Sequence, residues 1–262
     1  MTTQSIPKTQ YDTFAANYTS MEEVPGEIVA ANQLRNTVAD YSHGLKVLDL
    51  ACGSGTYARM LLDYEIAEHV VGVDISSEMV RIGQELEAKQ RPGSERIKYY
   101  VADCAADLDH LGLKQNSFDL VMGNWLICYA ADREQLMGMW RNIVKFLKPG
   151  GRFVGLKTTV DVQDHVNRSS WCGITTKVVE NVTDGVKVHV TAHCKLQVEF
   201  FAYLLKGNLY EEVPLEMGMK DVVHRVPTKN DLPHTADLDD AKWKAYLDNP
   251  YSLICTAVKK TQ

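Results

Sequence analysis

Six cysteines lie scattered along 262 residues (Cys52, Cys104, Cys128, Cys172, Cys194, Cys255) with no C-x-x-C pair among them. That excludes the common zinc and redox spacings and gives no support to a disulfide framework. No run of five Lys or Arg occurs and the formal net charge is −6, which disfavours docking along a nucleic-acid backbone. No apolar stretch approaches the roughly 20 residues needed to span a bilayer. The opening MTTQSIPKTQYDTFAANY lacks the apolar core of a secretory signal. The expectation is therefore a cytoplasmic protein with reduced, buried thiols and no membrane association. The N-x-S/T triplets at Asn17, Asn167 and Asn181 then count as chance. Internal repeats and low-complexity segments are also absent. What remains is a 45% hydrophobic chain, enough for a single domain over residues 1–262 with one substantial core.

From residue 45 to 159 strand-like and helix-like stretches alternate. LKVLDLA (45–51), HVVGVDI (69–75), IKYYVAD (97–103), FDLVMGNW (118–125) and RFVGLKTT (152–159) read as strands. Helices are expected at 55–64, after a Ser76 cap, and after Asp132, which with Gln135 has the spacing of a capping box. Leu136, Met139, Trp140, Ile143, Val144 and Leu147 then share one helical face, ended by Pro149-Gly150-Gly151. Near-continuous apolar strands alternating with helices predict an α/β fold, a doubly wound parallel sheet covered on both faces. Beyond residue 160 the pattern changes: two strands flank Thr183-Asp184-Gly185 and a third follows at 196–205, predicting a small antiparallel β insertion at 160–206. A helix near 208–217, a strand at 220–226, a helix near 238–247 and a last strand at 251–259 complete the chain.

VLDLACGSGTY (47–57) carries the strongest chemical signal. Gly53-x-Gly55-x-x-Ala58 follows a strand and opens a helix, and Asp74 ends the next strand 21 residues after Gly53. Glycines there let backbone N–H groups approach a ligand, and Asp74 can accept two ribose hydroxyls. A dinucleotide oxidoreductase is one reading. Asp49 opposes it, because a carboxylate at the strand's exit repels a pyrophosphate but tolerates a ligand bearing an ammonium. No Tyr/Lys pair or catalytic histidine suited to hydride transfer stands out either.

These residues resemble the class I S-adenosylmethionine-dependent methyltransferases. VLDLACGSG is similar to that family's first motif, with Ala51 where many members have glycine; VVGVDISSEM, YVADCAADL, FDLVMGNWLICYA and LKPGGRFV are similar to those that follow, in order. The resemblance runs from about residue 11 to 259. It implies a seven-stranded, mostly parallel sheet in the order 3-2-1-4-5-7-6 with the last strand antiparallel. It also implies S-adenosyl-L-methionine as cofactor and S-adenosyl-L-homocysteine as product. Asp49 would sit near the methionine ammonium, and the loop 51–55 (Ala51, Gly53, Gly55) under the methionine and ribose. Asp74 would hold the ribose, Ile75 and Met79 would pack on ribose and adenine, and Asp103 and Cys104 would read the adenine edge. Asn124 and Trp125 would lie beside the sulfur. YDTFAANY resembles the N-terminal lid of small-molecule members, here residues 1–24, with Tyr11 and Tyr18 over the cofactor.

Methyl transfer from a sulfonium mainly requires positioning and exclusion of water. On strand 186–194, Lys187, His189, Thr191 and His193 share one face; Glu199, Phe201 and Tyr203 share a face of the next. Such a face could roof an acceptor pocket or simply meet solvent. With Tyr129, His165 and Trp171 they make the substrate-pocket candidates, and none is singled out as a catalytic base. The place after strand four reads Gly123-Asn124-Trp125, without the acidic cluster of metal-dependent relatives, so no metal is expected. Asn249-Pro250-Tyr251 sits before the last strand, the wrong place for the motif of base-methylating enzymes. The expectation is a soluble methyltransferase of secondary-metabolism type acting on a small N, O or S acceptor. The alternatives are a protein or nucleic-acid methyltransferase and a non-catalytic cofactor binder. Nothing in the sequence sets the oligomeric state.

Overall fold

The computed structural model describes residues 9–159, 172–234 and 240–261. Its strands are β1 (Leu45–Leu50), β2 (Ala67–Asp74), β3 (Ile97–Val101), β4 (Phe118–Met122), β5 (Leu147–Thr158), β6 (Ile174–Val182), β7 (Gly185–Ala192), β8 (Val198–Leu205), β9 (Met219–Arg225) and β10 (Ser252–Lys259). Its α-helices are α1 (Pro25–Val38), α2 (Thr56–Asp63), α3 (Ser77–Gln90), α4 (Arg133–Phe146), α5 (Leu209–Glu216) and α6 (Ala241–Asp248). One sheet has seven strands in the order β3-β2-β1-β4-β5-β10-β9, and β6-β7-β8 form a second, three-stranded sheet. β1 to β5 pair in parallel; β10 runs antiparallel to both β5 and β9. This is the order that the sequence resemblance implied, with the antiparallel insertion following β5.

β1 lies mid-sheet because both its faces are buried. Val47 packs with Ala30 and Leu34 of α1 and Leu61 of α2. Leu48 and Leu50, on the opposite pleat, pack with Leu136, Trp140 and Ile143 of α4 and Val213 of α5. Burying each such side chain contributes about 1.5–3 kcal/mol. Asp49 falls on Val47's side of the strand, so the alternation that secures β1 also drives a carboxyl into the interior.

Two helix caps are as expected: Ser76 Oγ accepts from Met79 N–H (3.1 Å) and Asp132 from Gln135 N–H (2.9 Å). Gln135 reciprocates one residue early, accepting from Ala131 N–H (3.1 Å). α4 ends at Phe146, and Pro149-Gly150-Gly151 does not end it but forms an irregularity inside β5. There Phe118 and Leu120 face Leu147 and Arg152, so the extra residues bulge out. α1 was not expected. Pro25 at its first turn presets the backbone. The segment before it is 3-10 helical at Gln10–Thr13 and Ala15–Glu23. No helix among the described residues is long and apolar enough to cross a membrane.

Candidate functional site

At the C-terminal ends of β1, β2 and β4 lies a cavity of about 790 Å³, within the range of small-ligand sites. Its floor is the turn after β1. Ala51, Gly53 and Gly55 have φ of 60°, 54° and 81°, a succession of left-handed residues that turns the chain sharply into α2. A Cβ on Gly55 would lie 2.1 Å from the Tyr99 hydroxyl, whereas one on Gly53 would meet open space. Gly55 is thus required by packing, and the Gly53 backbone faces free volume.

Asp74 governs this turn. Its Oδ2 accepts from Gly53 N–H (2.7 Å) and its Oδ1 from Ser76 N–H (2.8 Å), so the carboxylate clamps β2 to the glycine turn. Two acceptor lone pairs remain for a ligand. Burial pushes its pKa up to about 6, opposed by the N–H bonds from Ser76 and Gly53. Asp49 is 1% exposed, and its Oδ2 has no hydrogen-bond partner among the described residues. Burial first, then the charge of Asp74, push its pKa up to about 8. The glycine turn is therefore flanked by two carboxyls, one ionised and one held neutral.

Asp103 lines the cavity beside buried Cys104 and is itself exposed; its Oδ1 accepts from Ala105 N–H (2.8 Å). It caps a turn while lining the cavity. Ile75 and Met79 line the same wall. Asn124 also lines it, but its side-chain oxygen is committed to Leu156 N–H (3.2 Å), bridging β4 to β5. Trp125 adopts φ 63°, which turns its ring into the cavity wall.

The segment before α1 covers the cavity. Tyr11 and Tyr18 both line it, their rings 6.0 Å apart. The Tyr11 hydroxyl bonds to that of Tyr129, and its ring lies 6.1 Å from Phe200. Burial pushes the Tyr18 and Tyr129 phenols up, so both stay neutral. Asp12, which the sequence reading passed over, fixes this cover: its Oδ1 accepts from Ser76 Oγ (2.6 Å) and Glu78 N–H (3.3 Å) at the start of α3. The signal was present in YDTFAANY, where the acid directly follows Tyr11.

Two expected cofactor residues, Asp49 and Gly55, lie behind the wall and do not line the cavity. The β7–β8 face that carries His189 could roof the pocket or meet solvent, and in the structure it meets solvent. Val188, Val190 and Ala192 of β7 and Phe200 and Ala202 of β8 point inward and pack with Met21, Val24 and Val29. His189, Phe201 and Tyr203 therefore point outward: His189 pairs with Glu199 (3.5 Å), and Phe201 is 42% exposed. Exposed His193, just beyond β7, binds Thr175 Oγ1 (2.9 Å). None of the four lines the cavity. His165 and Trp171 lie outside the described residues. Among the described residues no three His, Cys, Asp or Glu gather as metal ligands.

Comparison with known proteins agrees with this geometry. Residues 47–151 match the family model described as "Methyltransferase domain". The chain is 31% identical over 141 residues to Methyltransferase GfsG of Streptomyces halstedii, covering 54% of this chain and 45% of that protein. The matched stretch makes up less than half of the curated relatives' own length. Among solved structures, a methyltransferase of Haloferax volcanii in complex with the Trm112 methyltransferase activator superposes with a TM-score of 0.64 at 19% identity, covering 98% of this chain and 100% of that one. The CcbJ methyltransferase of Streptomyces caelestis does so with 0.62 at 17% identity, covering 97% and 99%. At these identities the structures speak for the fold alone.

Proposed function

We propose that the chain is a class I S-adenosylmethionine-dependent methyltransferase and that it transfers a methyl group to a small-molecule acceptor held beneath the segment before α1. The observation that carries this reading is the pair of carboxyls flanking the glycine turn. Asp74 offers free lone pairs beside the open Gly53 backbone, and Asp49 stands unpartnered behind it. A pyrophosphate would be repelled there, whereas an adenosine ligand carrying an ammonium is attracted. The residues present thus fit S-adenosylmethionine.

When bound, that cofactor supplies an already activated methyl on a sulfonium. The chain's residues bind and orient it: Asp74 the ribose hydroxyls, Asp103 and Cys104 the adenine edge, Ile75 and Met79 the apolar faces. Asp49, neutral without a cation beside it, lies behind the turn without contact, and an ammonium bound nearby favours its ionised form. Residues 9–24, latched by Asp12 and by the Tyr11–Tyr129 bond, act as a lid that excludes water from the transfer. Positioning and desolvation supply the catalysis. A partly open cavity of about 790 Å³ covered by this segment suits a small acceptor better than a nucleic acid or a folded protein.

The test is calorimetric titration with S-adenosylhomocysteine, followed by incubation with methyl-labelled S-adenosylmethionine and a fractionated metabolite extract read by mass spectrometry. The expected result is cofactor binding and one small molecule gaining a single labelled methyl. Binding without any labelled small molecule, and label on protein or nucleic acid instead, would overturn the acceptor class. Absence of binding would overturn the whole reading.

A further inference from the structure

A second, smaller recess of about 20 Å³ adjoins the main cavity and shares Tyr18, Trp125 and Tyr129 with it. Phe200 and Tyr251 complete an aromatic wall, and the first turn of α1 places Glu27 in it. The Trp125 and Tyr251 rings lie 5.6 Å apart. The volume suffices for about one small polar group, which makes this a head-group subsite continuous with the larger space.

Glu27 is half-buried and has no cation within ion-pair distance among the described residues. Among the described residues, the charged and titratable groups around it are all acids. Glu22 and Tyr18 belong to the covering segment, Tyr57 to α2, and Tyr251 precedes β10; Tyr129 and Cys128 also line the recess. A carboxylate held among aromatic rings without a counter-ion is costly, and burial, reinforced by Glu22, pushes Glu27 up to about 8. Electron-rich ring faces and a carboxylate attract one kind of group, a compact organic cation. An anionic acceptor would be repelled, and a neutral hydroxyl or thiol would leave the carboxylate uncompensated.

We propose that this recess is the acceptor subsite and that Glu27 there binds and deprotonates a primary or secondary amine. The proposal rests on the methyltransferase reading above. The amine enters as an ammonium and pairs with Glu27. One N–H proton passes to a Glu27 carboxylate oxygen, leaving a lone pair on nitrogen. That pair forms the N–C bond to the methyl as the C–S bond breaks, its electrons remaining on sulfur, which becomes a neutral thioether. The methylated nitrogen carries the positive charge and the acid proton returns to solvent. An acid whose pKa lies near 8 is closer to an ammonium than an ordinary carboxyl is, which eases the first proton transfer.

The test uses the full chain and a set of primary and secondary amines, each paired with the alcohol and thiol of the same skeleton. Binding is measured by calorimetry with saturating S-adenosylhomocysteine present, and transfer with labelled S-adenosylmethionine. Amines are expected to bind about tenfold or more tighter than their paired alcohols, and the transferred label to sit on nitrogen. In wild type kcat/KM for the amine should rise toward pH 8 as the carboxyl ionises. Glu27→Gln should lower kcat/KM about 100-fold, abolish the binding preference and remove that rising limb. S-adenosylhomocysteine affinity should stay within about twofold, which also reports an intact fold, and Glu27→Asp should recover part of the amine preference. Turnover confined to alcohols or thiols, no amine bound or methylated while S-adenosylhomocysteine binds, or Glu27→Gln with undiminished amine preference would each overturn the proposal. Failure of wild type to bind S-adenosylhomocysteine would instead overturn the methyltransferase reading on which it rests.

Discussion

The two sides of the cavity are built by different rules. On the proposed cofactor side, each wall residue lies at the end of a parallel strand or within the few residues after it: Ala51 and Gly53 after β1, Asp74 closing β2, Asp103 after β3, Asn124 after β4. Backbone pairing sets their positions. On the acceptor side, Tyr18, Glu27, Phe200 and Tyr251 come from elements far apart in sequence and meet only through side-chain packing. The first kind of site tolerates little change in its loop. The second can be rebuilt by changing what packs there, which is how one sheet can serve many acceptors.

The sharpest test of this contrast is Asp74→Ala. It removes both a ligand acceptor and the clamp on Gly53 and Ser76 N–H. Charge-assisted bonds of this kind are worth about 1–3 kcal/mol, so S-adenosylhomocysteine should bind about 10–100-fold more weakly by calorimetry. Unchanged affinity would dissolve the distinction, since a backbone-set wall would then not depend on its most firmly held carboxylate. Glu27→Gln, expected to spare cofactor affinity, is the counterpart on the other side.

That asymmetry also explains what was legible in the sequence. The sheet order came with the family resemblance, which rests on short contiguous motifs, and the turn after β1 was legible because a glycine turn after an apolar strand has few ways to fold. The acceptor wall has no contiguous motif. The β7–β8 face could still have been placed: Val188, Val190, Phe200 and Ala202 form its apolar side and Lys187, Thr191 and Glu199 its polar side, so the apolar side goes inward and takes His189 outward. A pocket roof and a solvated face were both open for His189, and this alternation decides for the second. Glu27 offered no such signal; a lone acid in the first turn of a helix is ordinary helix chemistry, and only the fold surrounds it with aromatic rings.

Asp49 offers a second comparison, between stability and binding at one residue. Burial pushes its pKa up to about 8, well above the 3.8 of an ordinary aspartate. Between those values the unfolded chain holds fewer protons on this group than the folded one, so wild-type stability falls as pH rises from about 4 through about 8. Asp49→Asn lacks that loss. Its thermal midpoint should match wild type near pH 4 and exceed it by an amount that grows steadily up to about pH 8. The same variant should bind S-adenosylhomocysteine more weakly, because Asn cannot ionise in response to the ligand's ammonium as Asp49 can. A parallel pH profile for both proteins would show that Asp49 is not held neutral.

Asp12→Ala probes the cover. Losing the bonds from Ser76 and Glu78 should loosen the segment before α1 without touching the glycine turn, weakening S-adenosylhomocysteine about 3–10-fold, mainly through faster dissociation. Stopped-flow displacement would read this directly. An unaltered dissociation rate would make the segment a fixed wall and not a lid.

The smallest expected effect lies at Ala51. Its φ of 60° puts an L-residue with a Cβ in the left-handed region, a strain of about 1–2 kcal/mol, at the position where the sequence resemblance leads one to expect glycine. Ala51→Gly relieves that strain but adds unfolded-chain entropy of about 0.5–1 kcal/mol. The net gain should be under about 1 kcal/mol, a rise of roughly 2–3 °C in the thermal midpoint. Cofactor affinity should scarcely move, because Gly53 N–H and Asp74 already fix the turn. If instead the variant binds S-adenosylhomocysteine more weakly, the Ala51 methyl group is itself part of the wall, and the cofactor side depends on side-chain packing more than its backbone geometry implies.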